Sequence, residues 1–421
     1  MSQNIPTLTT SAVLATVQYK QLELDALLEV TKAINQNASA EKLYKIYGFT
    51  LLAQMNVKKV AIVYLAEDGW ELCFQQGLGE DERLPLFELE KWKEQAGNIV
   101  FIKDAEDLRL SNHFDILLPV RHKTRHIAFA MIGNLKSVAE NQIPASLEDK
   151  LKFIQTLTNI IVVAVENKRL FKLQREKAVL EKEMATAKDV QQMLIPKKLA
   201  GAEHLDMAAI YRPHHSIGGD YYDVIEIDDD HLLFCMADVS GKGISAALIM
   251  ANFQAMLRVL SKEKSSLTEL VHILNKGMFD ITSGERFITV FLGIYNKNDG
   301  SIRYINAGHP PAVLVKEDGH IKELTKGCTI LGAFPKLKHI EEGEATLSKN
   351  SMFIVYTDGL TELTNESEVQ FEQEGLYDFL REQKKLDANI VLDELIACVN
   401  KYKGSLDYSD DISVLCARRI A

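Results

Sequence analysis

Carboxylates set beside small residues recur four times in the second half of the chain. They occur in Ser216-Ile-Gly-Gly-Asp220-Tyr-Tyr-Asp223, Ala237-Asp238-Val239-Ser-Gly241-Lys242-Gly243, Tyr356-Thr-Asp358-Gly359 and Ser409-Asp410-Asp411-Ile-Ser413. Glycine lets backbone carbonyls and a bulky phosphate approach where a side chain would collide. Carboxylate and carbonyl oxygens suit a hard divalent cation, and a donor set without His or Cys selects Mg2+ or Mn2+ over zinc. Two such cations lower the pKa of bound water and neutralise phosphate oxygens, so a phosphate ester can be cleaved without a phospho-enzyme nucleophile. A single aspartate is as readily a cap or turn former. Four together, each at the end of a strand-like run, point to metal-assisted phosphate chemistry.

Neighbouring motifs support other chemistries less well. Asp228-Asp-Asp230 has an acidic calcium-loop look, but EF-hand spacing would need an oxygen ligand at Leu232, and the glycine and distal glutamate are missing. Gly241-Lys242-Gly243 resembles a phosphate loop, yet Met236 stands where a Walker glycine belongs and Gly243 replaces the magnesium-binding Ser/Thr. Gly218-Gly-Asp220-Tyr-Tyr222 is similar to the GGDEF signature of diguanylate cyclases, but Tyr221 replaces an acidic residue and the later acidic motifs would go unused.

The acidic motifs sit among short strands and a few long helices. Met207–Tyr211, Tyr221–Ile227 and His231–Val239 read as consecutive strands, the last two a hairpin turning at 228–230. Helices follow at Ile244–Leu260 and Leu267–Ile281, then strands at Phe287–Tyr295, Ile302–Asn306, Ala312–Val315 and Ser351–Thr357, two helices, and a last strand at Ile412–Cys416. Antiparallel sheets with helices on their outer faces are the expected packing.

Residues 1–20 are polar and Thr-rich and read as a flexible N-terminus. Two helices follow, carried by Leu22, Leu24, Leu27, Leu28, Val30 and Ile34 and by Leu43, Ile46, Tyr47, Leu51 and Leu52. Lys59–Leu65 and Trp70–Phe74 form a predicted hairpin through Glu67-Asp-Gly69, with buried strands at Ile116–Val120 and Ile127–Ile132 and a helix from Leu147. His113, His122 and His126 lack paired ligand spacing and read as surface or core histidines.

From Val165 to Leu194 there is neither Gly nor Pro, and Pro196 ends the helix. Leu170, Lys177, Met184 and Gln191 at one heptad position, with Leu173, Leu180, Ala187 and Leu194 at the other, make a short, imperfect coiled-coil seam. A homodimer through residues 165–195 is expected; a solvated connecting helix is the plainer reading.

At 421 residues the chain needs more than one core. Its 48 Lys+Arg against 59 Asp+Glu give a net charge of −11, which argues against nucleic acid as the main partner. Five scattered cysteines with no CxxC pair read as buried free thiols of a cytoplasmic protein. The apolar run Ile160–Val165 is too short for a membrane span.

The ordered set GGDYYD, ADVSGKGISAAL, YINAGHPPAVL, VYTDGLTE and SDDIS resembles the metal-dependent protein phosphatases (PPM family), in particular their bacterial SpoIIE and RsbU branch. The preceding Val190-Gln-Gln-Met-Leu-Ile-Pro196 resembles that branch's entry. The N-terminal layout is similar to a GAF domain, though no specific motif carries that likeness, and a dimerisation or spacer domain that binds nothing is the alternative.

These resemblances imply an α+β chain in four parts. They are a flexible start (1–20), a GAF-like sensor domain (21–168), a helical coiled-coil linker (169–198) and a PPM-type α-β-β-α sandwich phosphatase domain (199–421). They further imply two Mn2+ or Mg2+ ions that activate water against phosphoserine or phosphothreonine. Asp220 and Asp238 would be the catalytic carboxylates. Asp238 would bridge the ions, Val239 would offer its carbonyl oxygen, Asp358 and Asp410 would complete one ion, and Asp220 would serve the other. Asp223 and Asp411 would be supporting or alternative ligands, with Asp410 against Asp411 left open. Arg212, Lys242 and His309 are candidates to meet substrate phosphate, His309 in Gly308-His-Pro-Pro311 by protonating the leaving serine oxygen, although a turn-stabilising histidine is the favoured reading there. The implied substrate is a phosphorylated STAS-domain protein in a partner-switching pathway, with a small-molecule or protein signal at the GAF-like domain. A GAF-linked diguanylate cyclase-like enzyme and a non-catalytic sensor or scaffold are the alternatives.

Overall fold

The computed structural model describes residues 10–419 except 56, 67–68, 80–83, 93–98, 103–108, 123–124, 135–146, 202, 215–216, 264–265 and 384–386. Glu67 and Asp68 of the predicted turn, and Ser216 of the first acidic motif, lie outside the described residues. The chain forms two compact units, Met1–Lys177 and Ala178–Ala421.

In the first unit, helices α1 (Thr10–Asn35) and α2 (Ala40–Phe49) precede an antiparallel sheet. Ser39 caps α2 by accepting the Lys42 amide, satisfying one of the free N–H groups of the first turn. The strands are β1 (Lys59–Ala66), β2 (Gly69–Gln76), β3 (Val100–Phe101), β4 (Ile116–His122) and β5 (Arg125–Gly133), in spatial order β2-β1-β5-β4-β3. Alternation assigns their faces. Val60 and Ile62 join Val30, Tyr47, Leu157 and Ile161 in one core, while Ala61 and Val63 join Phe129, Leu110 and Phe114 in another. Helix α3 (Leu147–Leu194) follows.

One expectation for this unit is corrected. Residues 1–20 do not form a flexible start throughout, because α1 begins at Thr10 and Tyr19 is buried with its hydroxyl 3.0 Å from Met55 Sδ. A single buried aromatic near a helix start, anchored to a distant residue, outweighs the polar local composition.

Among the described residues the second unit holds eleven strands: β6 (Leu205–Arg212), β7 (Tyr221–Glu226), β8 (His231–Val239), β9 (Ile288–Asn296), β10 (Ser301–Ala307), β11 (Ala312–Val315), β12 (Ile321–Leu324), β13 (Gly327–Cys328), β14 (Gly343–Thr346), β15 (Met352–Tyr356) and β16 (Ile412–Arg419). They make one sheet in the order β13-β10-β9-β8-β7, with β14 also on β10, and a second in the order β12-β11-β15-β16-β6. The short strands β12, β13 and β14 were not anticipated from sequence.

The layers follow from alternation along β8. Leu233, Cys235, Ala237 and Val239 face helices α4 (Ile244–Glu263) and α5 (Leu267–Thr282). Leu232, Phe234 and Met236 face the other sheet, where the rings of Phe234 and Phe353 lie 5.2 Å apart. The outer face of that second sheet is covered by α6 (Glu372–Glu382) and α7 (Ala388–Lys403), which pack Leu376, Val391 and Leu395 against Ile354 and Val414. The result is helix, sheet, sheet, helix. Asp238 shares the parity of Phe234 and Met236, so it emerges at the end of the inter-sheet core.

Among the described residues, one helix, α4, is long and apolar enough to cross a bilayer. Its Ala246, Met250, Phe253 and Leu257 pack against the sheet. All five cysteines are free thiols; Cys235 and Cys416 are buried and Cys73 is exposed.

Candidate metal centre

Strand register brings the acidic motifs to one end of the sandwich. Tyr221 at the start of β7 pairs with Ala237 near the end of β8, so Asp220 and Asp238 are neighbours. Tyr356 pairs with Val414, and Ile412 pairs with Arg212, which puts Asp358 after β15 and Asp410 before β16 beside the end of β6. Burial raises the Asp238 carboxyl to about 7, reinforced by the charges of Asp358 and Asp410. Asp220 is raised by its complete burial and then by Asp238, and Asp358 by burial, Glu362 and Asp410. Carboxylates that hold one another's protons on form a site that favours positive charge.

Each carboxylate is held differently. Asp220 Oδ2 accepts from Thr357 Oγ1 at 2.8 Å and from Ser413 Oγ at 2.6 Å. The Thr357 hydroxyl in turn accepts the Ser413 amide at 2.9 Å, tying β15 to β16 beneath the site. Asp410 is half-exposed and pairs with Lys242 Nζ at 2.9 Å. Asp411 is buried, and both its oxygens are engaged: Oδ1 accepts the His214 amide at 2.8 Å and Oδ2 the Gly219 amide at 2.9 Å.

Two glycines in the first motif answer to close approach. A Cβ at Gly218 would lie 2.0 Å from Asp411 Oδ2 and 2.3 Å from Tyr211 Oη. At Gly219 it would lie 2.9 Å from the Val239 carbonyl oxygen and 3.5 Å from Asp238 Oδ1. The Val239 carbonyl therefore stands against the loop that delivers Asp220.

The structure corrects one sequence-derived candidate, Asp223, and shows the setting of the others. Asp223 does not join the acidic cluster: its carboxylate is bound by Arg258 of α4 at 2.8 and 3.2 Å and by the Tyr221 hydroxyl. As an odd-numbered residue on β7 it shares the helix-facing side with Tyr221 and Ile225. His309 stands on the hydroxyl of Thr289, the cross-strand neighbour of Asp238. It is buried, its Nδ1 is 2.9 Å from Thr289 Oγ1, and burial holds its pKa down to about 3. Arg212 is exposed at the end of β6, and Lys242 is exposed at the rim on Asp410. Asp228 acts as a turn former, accepting the amides of Asp230 and His231.

Sequence reasoning missed Thr357, Ser413, Tyr211 and Gln191. The first two stand next to acidic motif residues, and that adjacency was the available signal. Tyr211 packs its buried hydroxyl against the Gly218 loop without a well-formed hydrogen bond, and its ionisation is suppressed by burial and then by Asp411, Asp220 and Asp238.

Among the described residues, no three His, Cys, Asp or Glu side chains stand as a ready cage for an ion. Asp410 is turned to Lys242 and Asp220 to the two hydroxyls. The donor chemistry still fits hard divalent cations, since Asp220, Asp238, Asp358 and Asp410 offer only oxygen and crowd charge together.

Residues 228–420 match the family model described as stage II sporulation protein E (SpoIIE), a span that includes Asp238, Asp358 and Asp410 and leaves Asp220 outside it. Protein IcfG of Synechocystis sp. is 27% identical over 267 residues, which cover 56% of this chain and 41% of that protein. The chain therefore spans about two fifths of that relative. Phosphoserine phosphatase RsbU of Bacillus subtilis is 25% identical over 289 residues, 68% of this chain and 84% of RsbU. Among solved structures, the SiaA-PP2C domain of Pseudomonas aeruginosa has the same fold, with a TM-score of 0.53 at 18% identity over 58% of this chain and 98% of that domain. The unit from Ala178 onward thus has the layered fold of the SiaA-PP2C domain, residues 228–420 within it are similar to the SpoIIE family, and the chain is similar to the phosphoserine phosphatase RsbU.

Proposed function

We propose that this protein is a metal-dependent serine/threonine protein phosphatase governed by its N-terminal unit. The observation that carries the reading is the convergence of Asp220, Asp238, Asp358 and Asp410 at one end of the inter-sheet core, with the first three raised above the ordinary carboxylate range. In this reading Asp238 would serve both Mn2+ or Mg2+ ions and Val239 would offer its carbonyl oxygen, while Asp358 and Asp410 would complete the hold on one ion and Asp220 would serve the other. Asp411 organises the Gly218–Gly219 loop, because the backbone amides of His214 and Gly219 already occupy its oxygens. When bound, the ions supply an activated water and charge neutralisation at phosphate. Thr357 and Ser413 orient Asp220, and Lys242, exposed at the rim, is placed to meet a phosphate as it arrives.

The finer parts of the proposal concern regulation and partner. The first unit, in which α1, α2 and the start of α3 pack among the described residues against a five-stranded antiparallel sheet, serves as a GAF-like sensor for a small-molecule or protein signal. The linker, 169–198, carries exposed Phe171, Leu173, Val179 and Leu180, which suits self-association. Its seam stops short of the heptad first expected, because Gln191 is buried on Gly218 and Leu194 packs on the core beneath α4 and α5. The proposed setting is cytoplasmic partner switching with a phosphorylated STAS-domain protein as substrate, and similarity to the phosphoserine phosphatase RsbU supports the phosphoserine part of it. The family match favours this over a cyclase or a scaffold.

The test is turnover of a phosphoserine protein against Mn2+ and Mg2+. Wild-type activity should require added metal, and Asp238→Asn and Asp358→Asn should lose orders of magnitude in rate while remaining folded. Near wild-type turnover in the folded variants would overturn the proposal.

A further inference from the structure

We propose that Gln191, in the last turn of α3, is a positioning residue for the carboxylate centre. Its amide pairs with the backbone of Gly218 in both directions: Nε2 donates to the Gly218 carbonyl at 2.6 Å, and the Gly218 amide donates to Oε1 at 3.2 Å. Only a side-chain amide offers a donor and an acceptor at that reach and spacing. The side chain is 5% exposed, although neighbouring Val190 and Met193 are 54% and 74% exposed. A polar group is thus buried where two apolar neighbours are not, which its pairing accounts for.

Gly218 is gripped from the other side as well. Asp411 Oδ2 and Tyr211 Oη occupy the space where its Cβ would stand, and the next amide, of Gly219, donates to Asp411. The loop is therefore clamped between the end of α3 and the start of β16, two residues before Asp220. Asp220 has little freedom left, since Thr357 and Ser413 hold its Oδ2 and Asp238 lies beside it. Loss of the Gln191 pair frees the Gly218 carbonyl and amide to rotate, and the rotation is felt first at Asp220. Helix α3 runs without a break from Leu147 to Leu194, so its register sets where Gln191 points. This inference rests on the reading of Asp220 and Asp238 as metal ligands.

The experiment is direct Mn2+ binding by full-length protein, following free Mn2+ by electron paramagnetic resonance, alongside phosphatase turnover at rising Mn2+. Gln191→Ala and Gln191→Glu should raise the Kd for Mn2+ by about 10- to 100-fold, as loss of a group that orients a ligand does elsewhere. Turnover should recover at saturating Mn2+. The exposed neighbour variant Gln192→Ala should bind as wild type. A purely structural contribution would lower the bound stoichiometry and leave the Kd alone. Gln191→Glu keeps the side chain's size and one of its two bonds, so it decides the matter if the alanine variant does not fold. An unshifted Kd in either folded variant, with binding lost in Asp238→Asn, overturns the role of Gln191 and leaves the metal centre standing. Unshifted binding in Asp238→Asn as well overturns the metal reading itself.

Discussion

Asp411 Oδ2 accepts the amide proton of Gly219 at 2.9 Å, across 192 residues of chain. The last acidic motif thereby holds the first one in place, and adjacent aspartates take different work. Asp411→Ala would remove the carboxylate that accepts the His214 and Gly219 amides and should cost about 1–3 kcal/mol of stability. Asp410→Ala removes a half-exposed carboxylate from a crowd of like charge, so it should leave stability nearly unchanged while abolishing metal-dependent turnover. Urea unfolding and a Mn2+ titration of the two variants check the division. The opposite pattern would exchange their roles.

His309 is buried neutral between β9 and β15, with Nδ1 on the Thr289 hydroxyl. Its folded pKa of about 3 lies below the ordinary histidine value, so the unfolded chain binds more protons between those two values. Its contribution is therefore fully present above about pH 6.5 and is lost as pH falls toward 3. Between pH 7.5 and 5.5 the loss should be about 1 kcal/mol, and His309→Gln should lack that component. Urea midpoints of wild type and variant at the two pH values measure it. Equal pH slopes would show that the imidazole is solvated.

Leu173 and Leu180 are exposed on α3, at 48% and 54%. Replacing both with Lys puts charge on the proposed self-association face and should shift the mass measured by light scattering toward the monomer over a dilution series. An unchanged mass at every concentration would place any dimer contact elsewhere.

The unbroken α3 also makes its length a control element. One residue inserted between Glu176 and Ala178 turns the downstream face by roughly 100°, whereas seven nearly restore it. Basal phosphatase activity should change with the single insertion and largely recover with the heptad. Identical turnover in wild type and both insertions would reduce the first unit to a passive tether.

Sequence alone determined the order of the helices and of eight of the eleven described strands in the second unit, and the candidate carboxylates, because both are written locally. Period-two alternation marks the faces of β8, and a glycine beside an aspartate records a close approach that a Cβ would forbid. The strands β12 to β14 escaped notice because they are two to four residues long, too short for a period to show. What only the tertiary structure decided is which partner each polar group meets. Asp223 and Asp411 look alike in sequence, yet one lies on the helix-facing side of β7 against Arg258 and the other grips two backbone amides. His309 is a loop residue by composition and a buried one by packing. Gln191 sits on a heptad position of a polar helix, and its two bonds reach Gly218, 27 residues away. Local pattern sets a side chain's direction, but the partner it finds depends on segments that only folding brings together.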